Sequence, residues 1–292
     1  MRASSPRALA LVLGALLACR PAGGSLARVT AVDDAGDTVR LAAPAGRIVS
    51  LNPTTTEILF AIGAGSRVVG RTSSCDYPPA AAAVPSVGDG FPPNVEAVAG
   101  LRPDLVVIYH SATNAPAAGR LSELGIAVAR IRTDLLADVT RAARLLGDLT
   151  GTRPAADSLV HDFERGLARA TAPDATPRPS ALLLAWDQPI VVLGAGSFAS
   201  ELLQLAGARN VFADVSSPSA SVALEAVAAR DPSAVVTVGD APAGFAARPE
   251  WRVVRAVRDN RILQLTQSYF TRPSLRAPDA IRELRARLAP FR

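Results

Sequence analysis

The sequence predicts an α/β fold of two similar lobes, each built on a mostly parallel sheet, and two observations carry that prediction. A thirteen-residue unit running from Glu96 to Ile108 returns from Glu225 to Thr237, 129 residues later, with seven positions identical. Both copies read as a short helix, a proline stop and an apolar strand. A second pair, Thr56 to Ala64 and Ser200 to Ala208, recurs at an offset of 144 residues. This period is too long for a solenoid and fits a duplicated domain. The rest of the chain alternates strand-like and helix-like stretches, the order that gives parallel sheets covered by helices.

The elements follow in turn. Arg28 to Asp33 and Thr38 to Leu41 flank Asp34-Ala35-Gly36-Asp37, a hairpin signature. Arg47 to Leu51 is a short strand ended by Asn52-Pro53, after which Thr54 or Thr55 caps a helix through Ile62. Gly63 to Gly65 stops that helix, Arg67 to Gly70 is the next strand, and Arg71 to Pro93 is a loop rich in Pro, Gly and Ser. The first repeat unit ends in the strand Leu105 to Tyr109. Ala115 to Leu124 is helical, Ile126 to Ile131 a strand, and Leu135 to Thr150 an amphipathic helix. Arg153 to Ala170 carries Leu159, Val160, Phe163 and Leu167 near helical spacing and lies between the two copies. Three prolines between Thr171 and Ser180 mark a boundary. In the second half, Ala181 to Trp186 and Ile190 to Leu193 are strands and Ser200 to Ala206 is a helix. The second repeat unit ends in the strand Ala234 to Val238, followed by a strand from Arg261 to Leu265 and a closing helix from Ala277 to Leu288.

Composition bounds the function. With 292 residues and 49% hydrophobic content, the chain can bury one large core or two ordinary ones and is not disordered. The net charge is +5, and all 31 basic residues are arginines scattered among 26 acids. There is no basic run and no nucleic-acid motif, so nucleic acid is not an expected partner. At the start, Arg2 and Arg7 precede an apolar run of 11 residues, Ala8 to Ala18, too short to span a bilayer. It reads as a secretory signal peptide. Its ending, Leu16-Leu17-Ala18-Cys19, resembles a bacterial lipobox, with Cys19 lipidated as the mature N-terminus; an ordinary signal cut nearby, with Cys19 incidental, is the alternative. No later stretch is long and apolar enough to span a membrane. Cys75 is the one other cysteine, which leaves no disulfide framework and no cysteine metal site; a small, half-buried side chain is expected there.

Ligands of parallel sheets bind beyond the carboxyl ends of the strands, and with two lobes that edge opens on a cleft between them. The candidates are therefore strand-end and loop residues. Tyr109 and His110 end the first repeat strand, Tyr77 and Phe91 lie in the proline-rich loop, Trp186 ends a strand, and Tyr269, Phe270 and Arg272 follow the last strand. Rings and an arginine suit a large, flat, partly anionic ligand, with ordinary packing the alternative for each residue. His110 is the candidate to ligate a metal carried by the ligand, whereas His161, on the intervening helix, reads as a surface residue. No cluster suggests a metal site of the protein's own. Gly194-Ala195-Gly196-Ser197-Phe198-Ala199 matches Gly-x-Gly-x-x-Ala, with Asp214 near the distance for a ribose contact. It is either a tight strand-to-helix turn or the mark of an exported NAD-dependent oxidoreductase. There is no Gly-x-Ser-x-Gly elbow and no Walker lysine. Glu96 and Glu225 hold matching places in the two copies. They either complement the first turn of a helix or form a carboxylate pair able to grip a two-fold symmetric partner.

Several of these stretches together resemble a known family. Arg47 to Glu57, Asp76-Tyr77-Pro78-Pro79, Asn94-Val95-Glu96, Leu101 to Val106 and Leu124-Gly125-Ile126 are similar to the substrate-binding proteins of ABC importers for iron complexes and cobalamin. The likeness runs from about Val29 to the C-terminus and is strongest before Ile131. It implies two Rossmann-like α/β lobes with mostly parallel sheets, joined by a single long rigid helix, with the ligand cleft between them. The chain then divides into a signal peptide (1–18), a tether (19–27), an N-terminal lobe (28–150), a connecting helix (151–172) and a C-terminal lobe (173–292). The resemblance further implies a protein that is not an enzyme and has no cofactor of its own. Its ligand is a metal chelate carrying cobalt or iron, and its partner is an ABC permease dimer with its ATPase subunits. Glu96 and Glu225 would dock on permease arginines. A monomer in the periplasm or at the cell surface, held to the membrane only through lipidated Cys19, completes the expectation. Asp-Tyr-Pro-Pro is most like the cobalamin-binding branch, where aromatics at the places of Tyr77, Phe91, Tyr109 and Tyr269 line the cleft and an arginine at the place of Arg272 contributes. The chain departs from that branch at Ser217 to Ser221, where a tryptophan is expected, and at Ser268, where an acid is expected. It offers no tyrosine near Gly90-Phe91, where haem-binding relatives have one. A ferric siderophore or haem is the alternative ligand.

Overall fold

The computed structural model describes residues 28–171, 173, 178–239 and 244–291. The signal segment, the tether and Cys19 lie outside the described residues, as does part of the proline-rich boundary. The first element is an antiparallel hairpin, β1 (Val29–Val32) with β2 (Thr38–Leu41). Its turn is closed by Asp33, whose Oδ1 accepts the N–H groups of Ala35 (3.0 Å) and Asp37 (2.9 Å).

The N-terminal sheet contains β3 (Ile48–Ser50), β4 (Val68–Arg71), β5 (Leu105–Tyr109) and β6 (Ala127–Ile131) in the order β4-β3-β5-β6, all parallel. The crossovers are α1 (Pro53–Ala61), α2 (Val95–Gly100) and α3 (Ala115–Glu123). The hairpin covers the open edge of β6: Asp34 donates its N–H to the Arg130 carbonyl at 3.0 Å, and Asp33 Oδ2 accepts the Arg130 N–H at 3.0 Å. Helix α1 is capped earlier than the sequence suggests. Asn52, not Thr54 or Thr55, is the cap, and its Oδ1 accepts the N–H of Thr54 at 2.9 Å. Pro53 takes the first helical position, where its missing N–H costs nothing. The threonines instead turn inward.

Two long helices, α4 (Leu136–Thr150) and α5 (Arg153–Ala170), lead out of this sheet. They approach closely at Gly147, where an added Cβ would stand 2.6 Å from that of Ala156. The second sheet holds β7 (Ser180–Asp187), β8 (Ile190–Leu193), the short β9 (Arg209–Asn210) and β10 (Ser219–Ser221), β11 (Ala234–Val238) and β12 (Ile262–Leu265). Its order is β10-β8-β7-β11-β12, with β9 beside β7. Strands β7, β9, β11 and β12 are parallel, and β8 runs antiparallel to both of its neighbours, β7 and β10. Only Gln188 and Pro189 join β7 to β8, too few for a crossover, so the pair closes as a hairpin. The remaining helices are α6 (Phe198–Leu205), α7 (Leu224–Ala229), α8 (Arg255–Arg258), α9 (Ser268–Thr271) and α10 (Ala277–Leu288).

The repeat is visible in three dimensions. Helix α2 leads to β5 and α7 leads to β11, each strand central in its sheet. The two copies even share a left-handed residue before the proline, Arg102 at φ 48° and Asp231 at φ 41°. The core is organised around the helices between the sheets. Ile58 and Leu59 of α1, Leu146 of α4, Phe163 of α5, Leu202 of α6 and Ile281 of α10 belong to one apolar cluster that reaches both β5 and β7. Each sheet also has a separate cluster on its other face. Helix α5 packs on α4 and on α10.

Candidate functional site

Residues that follow β5, β6 and β8, with the segment after β12, line one cavity of about 400 Å3. Tyr109, Thr133 and Asp134 form the N-terminal wall; Ser197, Phe198, Ser219 and Arg272 form much of the C-terminal one. For the N-terminal sheet this is the carboxyl edge, where loops leave the strands and backbone groups are free to meet a ligand. A second cavity of about 300 Å3 lies between β2, α3 and β6.

Tyr109 ends β5, and its hydroxyl donates to Asp134 Oδ1 at 2.5 Å. Burial, then the hydrogen bond and charge of Asp134, push its phenol up to about 12. It stands in the cleft as a neutral donor. Thr133 is fixed from beneath by Asn52, whose Nδ2 donates to Thr133 Oγ1 at 2.9 Å. The α1 cap therefore also positions the wall of the cleft.

The opposite wall is set by the chain from Arg272 to Arg276. Thr54 Oγ1 donates to the Pro273 carbonyl at 2.6 Å, and Ser274 Oγ donates to Glu57 Oε2 at 2.6 Å. Arg276 donates to Glu57 Oε1 at 3.1 Å. Glu57 is 2% exposed, so its charge is tolerable only because these partners surround it. Arg272 pairs with Asp76 across the lobes and lies 3.9 Å from Glu57. Burial raises the Asp76 carboxyl, but the charge of Arg272 and hydrogen bonds from Ser268 and Arg272 outweigh it and hold it below the ordinary carboxylate value.

Of the residues singled out from sequence, Tyr109 and Arg272 line the cavity. Tyr77 and Tyr269 meet each other through Arg276, whose guanidinium lies 4.2 Å from one ring centre and 5.0 Å from the other. Both stand beside the cavity rather than in its wall. Tyr269 also donates to Glu283 at 2.7 Å, and it lies on α9, not on an open loop. His110 follows Tyr109 but does not line the cavity, and its N–H is bound to the Ile131 carbonyl at 3.0 Å. Phe91 and Trp186 are exposed side chains outside the cavity lining. Phe270 is core. Cys75 is fully buried and accepts a hydrogen bond from Thr56 Oγ1 at 3.1 Å. Among the described residues no group of acids, histidines or cysteines could hold a metal ion. Sequence reasoning missed Asp76, Thr133, Asp134 and Ser197 as site residues. The signal was available for two of them, since Thr133 and Asp134 directly follow a strand end.

The glycine-rich turn has a structural account. An added Cβ at Gly196 would stand 2.6 Å from the Ser216 carbonyl, so the turn presses on its own lobe. Asp214 is bound by both Nη atoms of Arg230, at 2.7 and 2.8 Å, and is not placed for a ribose. Glu96 and Glu225 are exposed in the first turns of α2 and α7.

A family model described as periplasmic binding protein matches residues 48–269. The chain belongs to this family. As a binding protein and not an enzyme, it uses the turn at Gly194 to shape the cleft. It is 28% identical over 243 residues to a vitamin B12-binding protein of Vibrio cholerae, covering 82% of this chain and 88% of that protein. It is 29% identical over 272 residues to an ABC transporter substrate-binding lipoprotein of Bacillus subtilis, YvrC, covering 90% of this chain and 86% of that one. The fold superposes on the periplasmic heme-binding protein RhuT from Roseiflexus sp. RS-1 with a TM-score of 0.76 at 25% identity, covering 84% of this chain and 98% of that one.

Proposed function

We propose that this binding protein is the substrate-binding component of an ABC importer, that its ligand is cobalamin or another corrinoid, and that it hands the ligand to a permease dimer carrying ATPase subunits. The carrying observation is the cleft itself, an open cavity of about 400 Å3 walled by Tyr109 from one lobe and Arg272 from the other. A relative named for vitamin B12 binding, aligned over most of both chains, supports the corrinoid. Tyr77 and Tyr269, beside the cleft, and the exposed Phe91 and Trp186 are the residues to test as further contacts for a large ring system, and His110 is the residue to test as a metal ligand. Titration of the mature protein with cyanocobalamin, read by tryptophan fluorescence and calorimetry, is expected to give micromolar or tighter binding. Failure to bind corrinoids would overturn the ligand. Failure to bind haem and ferric siderophores as well would overturn the transport reading. Haem is the second ligand reading, favoured by the likeness to a heme-binding structure.

Two further parts of the proposal concern partners. Glu96 and Glu225 dock on the permease, one from each copy of the repeat; their exposure and matching positions support this. Cys19 carries the lipid that holds the protein, as a monomer, at the membrane surface; a relative named as a lipoprotein supports it. Cys19→Ala is expected to release the protein from the membrane fraction.

A further inference from the structure

The cleft contains one cation and one phenol, and each is already engaged by a carboxylate. Arg272 is the single cationic residue lining the cavity. It pairs with Asp76, and Arg276 behind it pairs with Glu57 at 3.1 Å. Two arginines thus meet two carboxylates, and the cluster is neutral. On the facing wall, the Tyr109 hydroxyl gives its proton to a hydrogen bond with Asp134 at 2.5 Å. Asp134 is the one acidic residue that lines the cavity. Arg132 and Asp138 act on Tyr109 from farther away with opposite signs. The cleft therefore presents a neutral to slightly negative surface, although the whole chain carries a net charge of +5.

We infer that Asp76 and Asp134 are specificity-determining residues. By pairing with Arg272 and Tyr109 they close the cleft's cation and phenol to the ligand, so that the site takes an uncharged, amide-bearing chelate and rejects anionic ones. The inference rests on the proposed role as a chelate-binding protein. Its physics is local. A ligand carboxylate can reach Arg272 only by displacing Asp76, which then loses its partner, or by approaching the charge of Asp134. An amide donates N–H to the free lone pairs of either aspartate and leaves both existing pairs in place. Iron(III) capture by Tyr109 needs the phenol to lose its proton, and the same negative charge opposes that loss. The side chain of Asp76 is half exposed, so it can be altered without opening the core.

The test uses the mature protein and two probes of opposite character, cyanocobalamin and ferric haem with its two propionates. Asp76→Asn and Asp134→Asn preserve shape and remove one charge each; Asp76→Glu keeps the charge. Each asparagine variant is expected to bind haem about fivefold more tightly than the parent does and cyanocobalamin no more tightly, with Asp76→Glu like the parent. The gain should shrink at high ionic strength. Unchanged haem affinity in both asparagine variants overturns the inference, and so does an equal rise for both probes. Tight haem binding by the parent protein overturns it too. A parent that ignores cyanocobalamin, with variants that gain haem, sinks the corrinoid reading and leaves the role of the two aspartates standing.

Discussion

Glu201, on α6, accepts a hydrogen bond of 2.9 Å from the backbone N–H of Leu136 at the start of α4, so a carboxylate of one lobe caps a helix of the other. Burial, with Asp138 nearby, raises the Glu201 carboxyl above its ordinary 4.5 even though the Leu136 N–H pulls the other way. A raised acid contributes stability that is present below its unfolded value and is lost as the pH rises through the folded one. Glu201→Gln keeps the acceptor and removes the buried charge. The melting temperature of the variant, relative to the parent, is therefore expected to rise from about pH 4 to about pH 7. A difference that stays flat across that range removes burial of the charge as the cause.

Removing Glu57 has a different expected outcome. Its carboxylate is buried beneath Arg276 and Ser274 and near Arg272. Glu57→Ala strands Arg276 and is expected to cost about 3 kcal/mol in urea unfolding. Glu57→Gln retains a polar partner and should cost less. If the alanine variant is as stable as the parent, the network does not fasten the lobes.

Tyr109 makes a spectroscopic prediction. Its phenol, pushed up to about 12, should form phenolate later than an ordinary tyrosine near 10.0, and Asp134→Asn should bring it back towards 10.0. The linked stability is present below about pH 10 and lost as the pH climbs through the raised value. Ultraviolet phenolate absorbance, with Tyr109→Phe as the control, reads both.

Docking is separable from ligand capture. Reversing the charge at Glu96 and Glu225 together should abolish uptake in cells while leaving ligand affinity within about twofold, because both side chains lie on α2 and α7, outside the cavity lining. Intact uptake would favour a surface binder that works without a permease.

Much of the fold is legible because it is written locally. The bounds of α5, Arg153–Ala170, and of β5, Leu105–Tyr109, follow from periodicity and from prolines. Errors gather where distant chain decides. Asn52 rather than a threonine caps α1 because the threonine hydroxyls bond inward, Thr55 to the Asn52 carbonyl and Thr54 to Pro273. β10 forms from a serine-rich stretch because β8 offers it an edge. The same holds for the site. Strand ends point to Tyr109, but nothing near Asp76 in the sequence announces Arg272, a residue 196 positions away. Nor does a list of aromatic residues reveal that Tyr77 and Tyr269 hold an arginine between them.

The apolar cluster shared by α1, α4, α5, α6 and α10 has a consequence for the history of the repeat. Cutting the chain after α5 would leave each fragment with a bare greasy layer that only the other fragment can cover. The ancestral unit, if freed again, could not go back to living alone. We expect the two fragments, produced separately, to precipitate singly and to reassemble when refolded together, and the intact chain to melt in one calorimetric step.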